Sequence, residues 1–179
     1  FLIRGLPKYR FPLYKILYER GNIDFQVISE KFNLPAAKLG FSQVDNTSNV
    51  PINTVDSPTW SVTLSKILNF PIPSVRAISA LIKYKPDIVI IEGLSNLGTV
   101  LLATPYLLMK KVPFIWWSLG AIPNRHKTLR SKFGDIIQKY YLINSTASLA
   151  YSSHGKKYFE SLDIESNKIF IVFNTLDEI

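Results

Sequence analysis

Few side chains in this sequence stand where they could do chemistry, and Glu92 is the most pointed of them. It ends the apolar run "KPDIVIIEG" directly before Gly93. A carboxylate in that place could accept hydrogen bonds from sugar hydroxyls or act as a general base. It could equally meet the N-terminus of the next helix, where the macrodipole favours negative charge; the sequence leaves both open. His126 lies between Arg125 and Lys127, in a basic loop that suits a phosphate as well as plain exposure to solvent. His154 follows Ser152, a helix-cap residue type, and reads as a surface residue. Neither has a second histidine or an acid at metal-ligand spacing, so no metal site is expected.

Several chemistries are excluded. The chain has no cysteine, which removes disulfides, thiol catalysis and zinc-finger ligation. No G-x-G-x-x-G follows the first apolar run, which argues against a dinucleotide-dependent dehydrogenase, and no Walker A sequence or G-x-S-x-G elbow is present.

The elements that must hold these residues alternate. "FLIRG" reads as a short buried strand, and a helix follows over Pro12 to Glu19 with Leu13, Ile16 and Leu17 at helical spacing. "IDFQVIS" is a second strand. Residues 31 to 60 are rich in turn formers and carry an edge strand around Val50 to Val55. Ser74 caps a helix with Val75, Ile78, Leu81 and Ile82 on one face. "KPDIVIIEG" has the continuous apolar character of a strand buried on both faces of a parallel sheet. Ser95 or Asn96 caps a helix over 97 to 110, and "VPFIWWSLG" is the next strand. Phe133, Ile136, Ile137, Tyr140 and Tyr141 form an amphipathic stripe. "SLAYS", a helix over "GKKYFESL" and the strand "KIFIVFN" close the series.

This alternation predicts an α/β fold, a doubly wound parallel sheet of Rossmann-like type, because parallel strands need helical crossovers. Ligands of such sheets bind at the carboxyl ends of the strands. That rule selects the loops "GLPKYR", "EGLSNLG", "SLGAIPNRH" and "SSHG" as one shared edge.

Hydrophobic residues make up 47% of the 179 positions and charged residues 19%, a globular composition. The net charge of +8 favours anionic partners: phosphates, nucleic acid or an acidic membrane surface. The bases are scattered as pairs such as Lys110-Lys111, with no arginine-rich run, so nucleic acid is not expected. The longest apolar stretch, Val100 to Met109, is too short for a bilayer span of roughly 20 residues. A cysteine-free chain suits a reducing cytoplasm.

Several segments in order resemble the family 4-like glycosyltransferases of the GT-B fold: "YRFPLYKILYERGNIDFQVIS", "YKPDIVIIEG", "VPFIWWSLG", "LAYSSHGKKYFESL" and "KIFIVFNTLDEI". They look like the N-terminal, acceptor-side domain, over residues 1 to 173. The closing "FNTLDE" is similar to the segment leading into the second domain, which makes 174 to 179 the start of a linker and places both chain ends as cuts through a longer protein. The resemblance implies a retaining transferase, moving a sugar from a nucleotide-sugar donor to a glycan or lipid-linked acceptor in cell-surface polysaccharide synthesis. It implies no cofactor beyond the donor as co-substrate, with the donor held mainly by the absent second domain. It implies that Gly5, Tyr9, Arg10 and the loop around Ser118 and Gly120 face the donor, with Glu92, Gly93, Arg125 and His126 lining the cleft. It also implies work at the inner membrane, in peripheral contact with anionic lipid. One position departs from the pattern: relatives commonly carry a His-Gly pair where this chain has Leu119-Gly120. Leucine cannot donate a hydrogen bond or carry a proton, so the catalytic residue is unassigned. A non-enzymatic Rossmann-like module that binds a phosphorylated or glycan ligand is the alternative expectation.

Overall fold

The computed structural model describes residues 1–32, 50–57, 67, 72–120 and 129–173. Seven strands form one sheet: β1 (Leu2–Gly5), β2 (Val27–Phe32), β3 (Ile52–Ser57), β4 (Val89–Glu92), β5 (Phe114–Ser118), β6 (Ala147–Ala150) and β7 (Ile169–Ile171). Their order is β3-β2-β1-β4-β5-β6-β7, and every pairing is parallel. The sequence therefore winds outward from β1 in both directions, and the winding reverses between β1 and β4. The expected doubly wound α/β architecture is what the chain adopts.

Alternation along the strands separates two cores. Ile3 and Val27 face one side with Leu6, Tyr14, Phe25 and Val50. Their chain neighbours Leu2 and Ile28 face the other, with Ile91, Trp116 and Ala150. Helix α1 (Phe11–Arg20) covers the first side through Tyr14, and Gly21 ends it at φ 63°, in the left-handed region glycine tolerates. The second side carries α2 (Val75–Tyr84), α3 (Leu97–Lys110), α4 (Leu129–Asn144) and α5 (Ser153–Glu160). Ser74 caps α2 by accepting from the Ala77 N–H at 3.2 Å, and Ser152 caps α5 by accepting from the Gly155 N–H at 3.1 Å.

Three helix faces differ from the periodicity reading. In α2 the buried arc is Ala77, Ile78 and Leu81, while Val75 and Ile82 are exposed on its flank. In α1 Ile16 is exposed and Tyr14 is the fully buried residue. In α4 Ile137 and Tyr141 of the stripe pack on the core, with Gln138 and Leu142 buried beside them, while Phe133, Ile136 and Tyr140 are exposed. Tyr141 sets that roll: its ring stacks on Trp116 at 5.0 Å and 7°, and its hydroxyl meets Thr104 of α3 at 2.6 Å. A stacked aromatic pair and a hydrogen bond outweigh the burial of a few more carbons. β4 also departs from the expectation, because Ile90 and Glu92 on its second face are only half-buried. Strand β2 lies further along than "IDFQVIS", starting at Val27 where both neighbours can pair with it.

Candidate functional site

The reversal between β1 and β4 leaves a crevice at the carboxyl edge of the sheet, since the connections leave in opposite directions there. The loops after β1, β4, β5 and β6 meet on this edge, and Arg10 is the side chain that joins them. It ends a 3-10 turn, Lys8–Arg10, closed by its own N–H donating to Pro7 O at 3.0 Å. Its Nη1 donates to Glu92 Oε1 at 2.6 Å, and its Nη2 donates to the Tyr151 hydroxyl just beyond β6. The guanidinium lies 4.7 Å over the Trp117 ring of β5 and 5.8 Å from the Tyr9 ring. The two side chains of the ion pair are only 6% and 14% exposed.

Backbone irregularity completes the pair. The β1–β2 register shifts between Ile3 and Gly5, a bulge at Arg4. The Arg4 N–H turns out of the ladder and donates to Glu92 Oε2 at 3.0 Å. Both Glu92 oxygens are thus occupied, one by a guanidinium and one by a main-chain amide. Neither of these partners belongs to the N-terminus of α3, and each Glu92 oxygen keeps a further lone pair for a second donor. Burial works against the Arg10 charge, but Glu92 and the Tyr151 and Tyr9 phenols outweigh it, so the group is held above its ordinary range.

Gly93 follows because nothing larger fits. A Cβ there would stand 2.7 Å from Ser118 Cβ and 3.2 Å from Trp116 Cζ2. The Gly93 N–H continues the ladder to Trp117 O at 2.9 Å. After β5, Ser118 is buried and its Oγ accepts from the Gly120 N–H at 3.3 Å. Leu119 between them is exposed.

Of the residues selected from sequence, Tyr9, Arg10, Glu92, Gly93, Ser118 and Gly120 lie on this edge, with Gly5 at the end of β1. Arg125 and His126 lie outside the described residues. His154 is exposed in the first turn of α5. Sequence reasoning missed Tyr151, Arg4 and Tyr14. Tyr151 could have been found by the same rule that found Glu92, because it directly follows a strand. The Arg4 amide could not, since its role depends on a bulge.

Tyr14 lies beneath the site. Burial is the main cause that pushes its phenol well above the ordinary tyrosine range, partly opposed by the Arg10 charge. Its hydroxyl is buried with no hydrogen-bond partner among the described residues. Removing an unsatisfied buried hydroxyl is neutral or stabilising, so Tyr14→Phe should raise stability by up to about 1 kcal/mol in chemical denaturation. The raised folded-state pKa makes the tyrosine's contribution present below about pH 10 and lost as pH rises above it. Tyr14→Phe should therefore flatten the alkaline fall in melting temperature. A loss of 1 kcal/mol or more, about one partnered hydrogen bond, would show that the hydroxyl has a partner.

No family model matches the chain, and neither does any curated protein. Among solved structures, the chain is similar to the UDP-GlcNAc 2-epimerase from Methanocaldococcus jannaschii, with a TM-score of 0.57 and 20% identity over 96% of this chain and 44% of that one. It is similar to the Neisseria meningitidis UDP-GlcNAc 2-epimerase bound to UDP-GlcNAc, with a TM-score of 0.55 and 16% identity over 97% of this chain and 46% of that one. The S. aureus MnaA structure with UDP gives a TM-score of 0.53 and 14% identity over 95% of this chain and 42% of that one. At these identities the likeness is one of fold, Rossmann-like and of GT-B type. The chain spans less than half the length of each of these proteins.

Proposed function

We propose that the chain is the acceptor-side half of a GT-B enzyme acting on nucleotide sugars, a retaining glycosyltransferase of the family 4-like kind. The observation that carries the reading is the Arg10 crevice: a buried guanidinium over an indole, at the reversal point of an all-parallel sheet. Parallel sheets take their ligands there, and a guanidinium suits phosphate oxygens in particular. Arg4 and Lys8 lie in the same segment and add cationic side chains near Arg10. In this reading residues 1–173 form the domain, 174–179 begin the linker, and a second domain holds most of the donor. Gly5, Tyr9, Ser118 and Gly120 line the donor-facing edge.

The structural likeness to UDP-GlcNAc 2-epimerases supports a second reading, epimerisation of a nucleotide sugar. Inverting a carbon that carries hydrogen needs a base. Glu92 is engaged by Arg10 and the Arg4 amide, and Glu30 is buried and accepts from Thr99 at 3.4 Å. Those engagements favour transfer, which relies on positioning and electrostatics more than on a base in this half.

The chain alone, incubated with UDP-GlcNAc, should release no UDP and form no epimer. Joined to the donor-side domain, it should release UDP only when a membrane lipid extract supplies an acceptor. Formation of the C2 epimer would replace this reading with the second one. Tight binding of UDP-GlcNAc without turnover in either form would make the protein a binding module.

A further inference from the structure

We propose that the Tyr151 hydroxyl is the specificity-determining donor of the crevice, giving its proton to a phosphate oxygen of the ligand. This rests on the reading of the crevice as a nucleotide-sugar site. Ala150 packs in the second core, so by strand alternation its neighbour Tyr151 faces the side of Trp117. The backbone is pinned on both sides of it: the Val172 N–H donates to Ala150 O at 2.8 Å, and Ser152 caps α5. The Tyr151 ring meets Trp117 edge-on at 5.6 Å and 66°, and the Arg10 guanidinium lies 5.7 Å from it. A guanidinium only donates, so in the contact with Arg10 Nη2 the Tyr151 oxygen must accept. The hydroxyl's own proton then points away from Arg10, and no described residue accepts it.

Tyr151 O–H, Arg10 Nε and Trp117 Nε1 thus all lack an acceptor among the described residues. Glu92, the acid of this cluster, already receives a donor at each oxygen. A surplus of donors calls for a group that only accepts, and an ionised phosphate oxygen is such a group. A sugar hydroxyl fits less well, since it brings a donor of its own. Reach decides which donor serves. Arg10 and Trp117 are 5% and 3% exposed, whereas Tyr151 is half-buried, so its proton is the one a ligand meets from the crevice. Burial, the largest cause, holds its phenol well above the ordinary tyrosine range, although the Arg10 charge opposes this. The hydroxyl therefore keeps its proton at neutral pH and serves as a donor.

Titrating the chain with pyrophosphate and reading the heat of binding tests this. The chain should bind, and Tyr151→Phe should weaken binding by at least about tenfold, the worth of one hydrogen bond to an ionised group. Phenylalanine also removes the acceptor of Arg10, so a second variant separates the two roles. In Tyr151→3-fluorotyrosine the ring stays, and the more acidic hydroxyl donates more strongly and accepts more weakly. If the proton goes to phosphate, this variant should bind pyrophosphate more tightly than the unmodified chain. Weaker or equal binding by the fluorinated chain, or unchanged binding by Tyr151→Phe, would leave Tyr151 as a brace for Arg10 and overturn the proposal, with phosphate binding in the crevice intact. If Tyr151→Phe weakened UDP-GlcNAc binding and spared pyrophosphate binding, the proton would belong to a sugar oxygen, which also overturns it. A chain that binds no pyrophosphate would remove the crevice reading and this inference with it.

Discussion

Arg10→Met should cost the folded chain about 3–5 kcal/mol, the loss expected when one partner of a buried ion pair is removed. The substitution keeps much of the side-chain volume over Trp117 but leaves the Glu92 carboxylate, only 14% exposed, with the Arg4 amide as its remaining partner. It also leaves the Tyr151 hydroxyl without its donor. For a chain of this size the melting temperature should fall by about 10 °C. The companion variant decides the cause. Removing both charges in Arg10→Met/Glu92→Met should recover most of the loss, because an apolar pair of similar volume stabilises about as well as a buried ion pair. A double-mutant cycle should then give a coupling of about 2–3 kcal/mol. A loss below about 1 kcal/mol for Arg10→Met, or a double variant as unstable as the single one, would show that the pair does not brace the crevice.

That expectation sharpens what the crevice is for. Among the described residues Arg10 Nε is buried without a hydrogen-bond partner, and so is Trp117 Nε1. A buried donor left unpaired costs about 1–3 kcal/mol, so a ligand that supplies an acceptor to either would bind the more tightly. The arrangement fixes the guanidinium in position between β1, β4, β5 and β6. A phosphate-bearing ligand reaching it would meet a cation already oriented, with Glu92 as its anionic partner among the described residues.

How much of this was legible depends on the length scale of the signal. Strand and helix order, the parallel sheet and the carboxyl-edge loops follow from periodicity and turn residues, which are local, and they were read from sequence. Arg10 and Glu92 were both selected, yet their partnership was not, because 82 positions separate them and only the strand order brings them together. The α4 stripe was read correctly at Ile137 and Tyr141 and not at Phe133, Ile136 and Tyr140, because apolar spacing does not say which edge of a stripe a tyrosine–tryptophan stack will turn inward. The Arg4 amide was invisible because a bulge leaves no composition signal.

The loop after β5 carries the second large expected effect. Gly120→Ala should destabilise the chain by about 3 kcal/mol, from two sources that act together. Gly120 has φ 86°, in the region costing a non-glycine residue about 1–2 kcal/mol. Its added Cβ would also stand 3.0 Å from Gly155 Cα and 3.3 Å from Gly155 O, main-chain atoms of α5 that cannot swing aside. Overpacking of that kind costs about 1–3 kcal/mol. Gly155→Ala separates the two sources. Its Cβ would stand 2.7 Å from Leu119 O, while helix propensity alone would favour alanine over glycine by about 1 kcal/mol. The contact should win, giving a net loss of about 1–2 kcal/mol in denaturant unfolding. A gain for Gly155→Ala would mean that the loop yields freely and that nothing but backbone strain holds Gly120. The predicted loss would mean that the loop is clamped main chain to main chain, with residue 119 presented from a fixed backbone. The leucine at that position, where the resembling family commonly places histidine, would then be a difference of side-chain chemistry on a preserved frame, with no displacement of the loop to compensate for it.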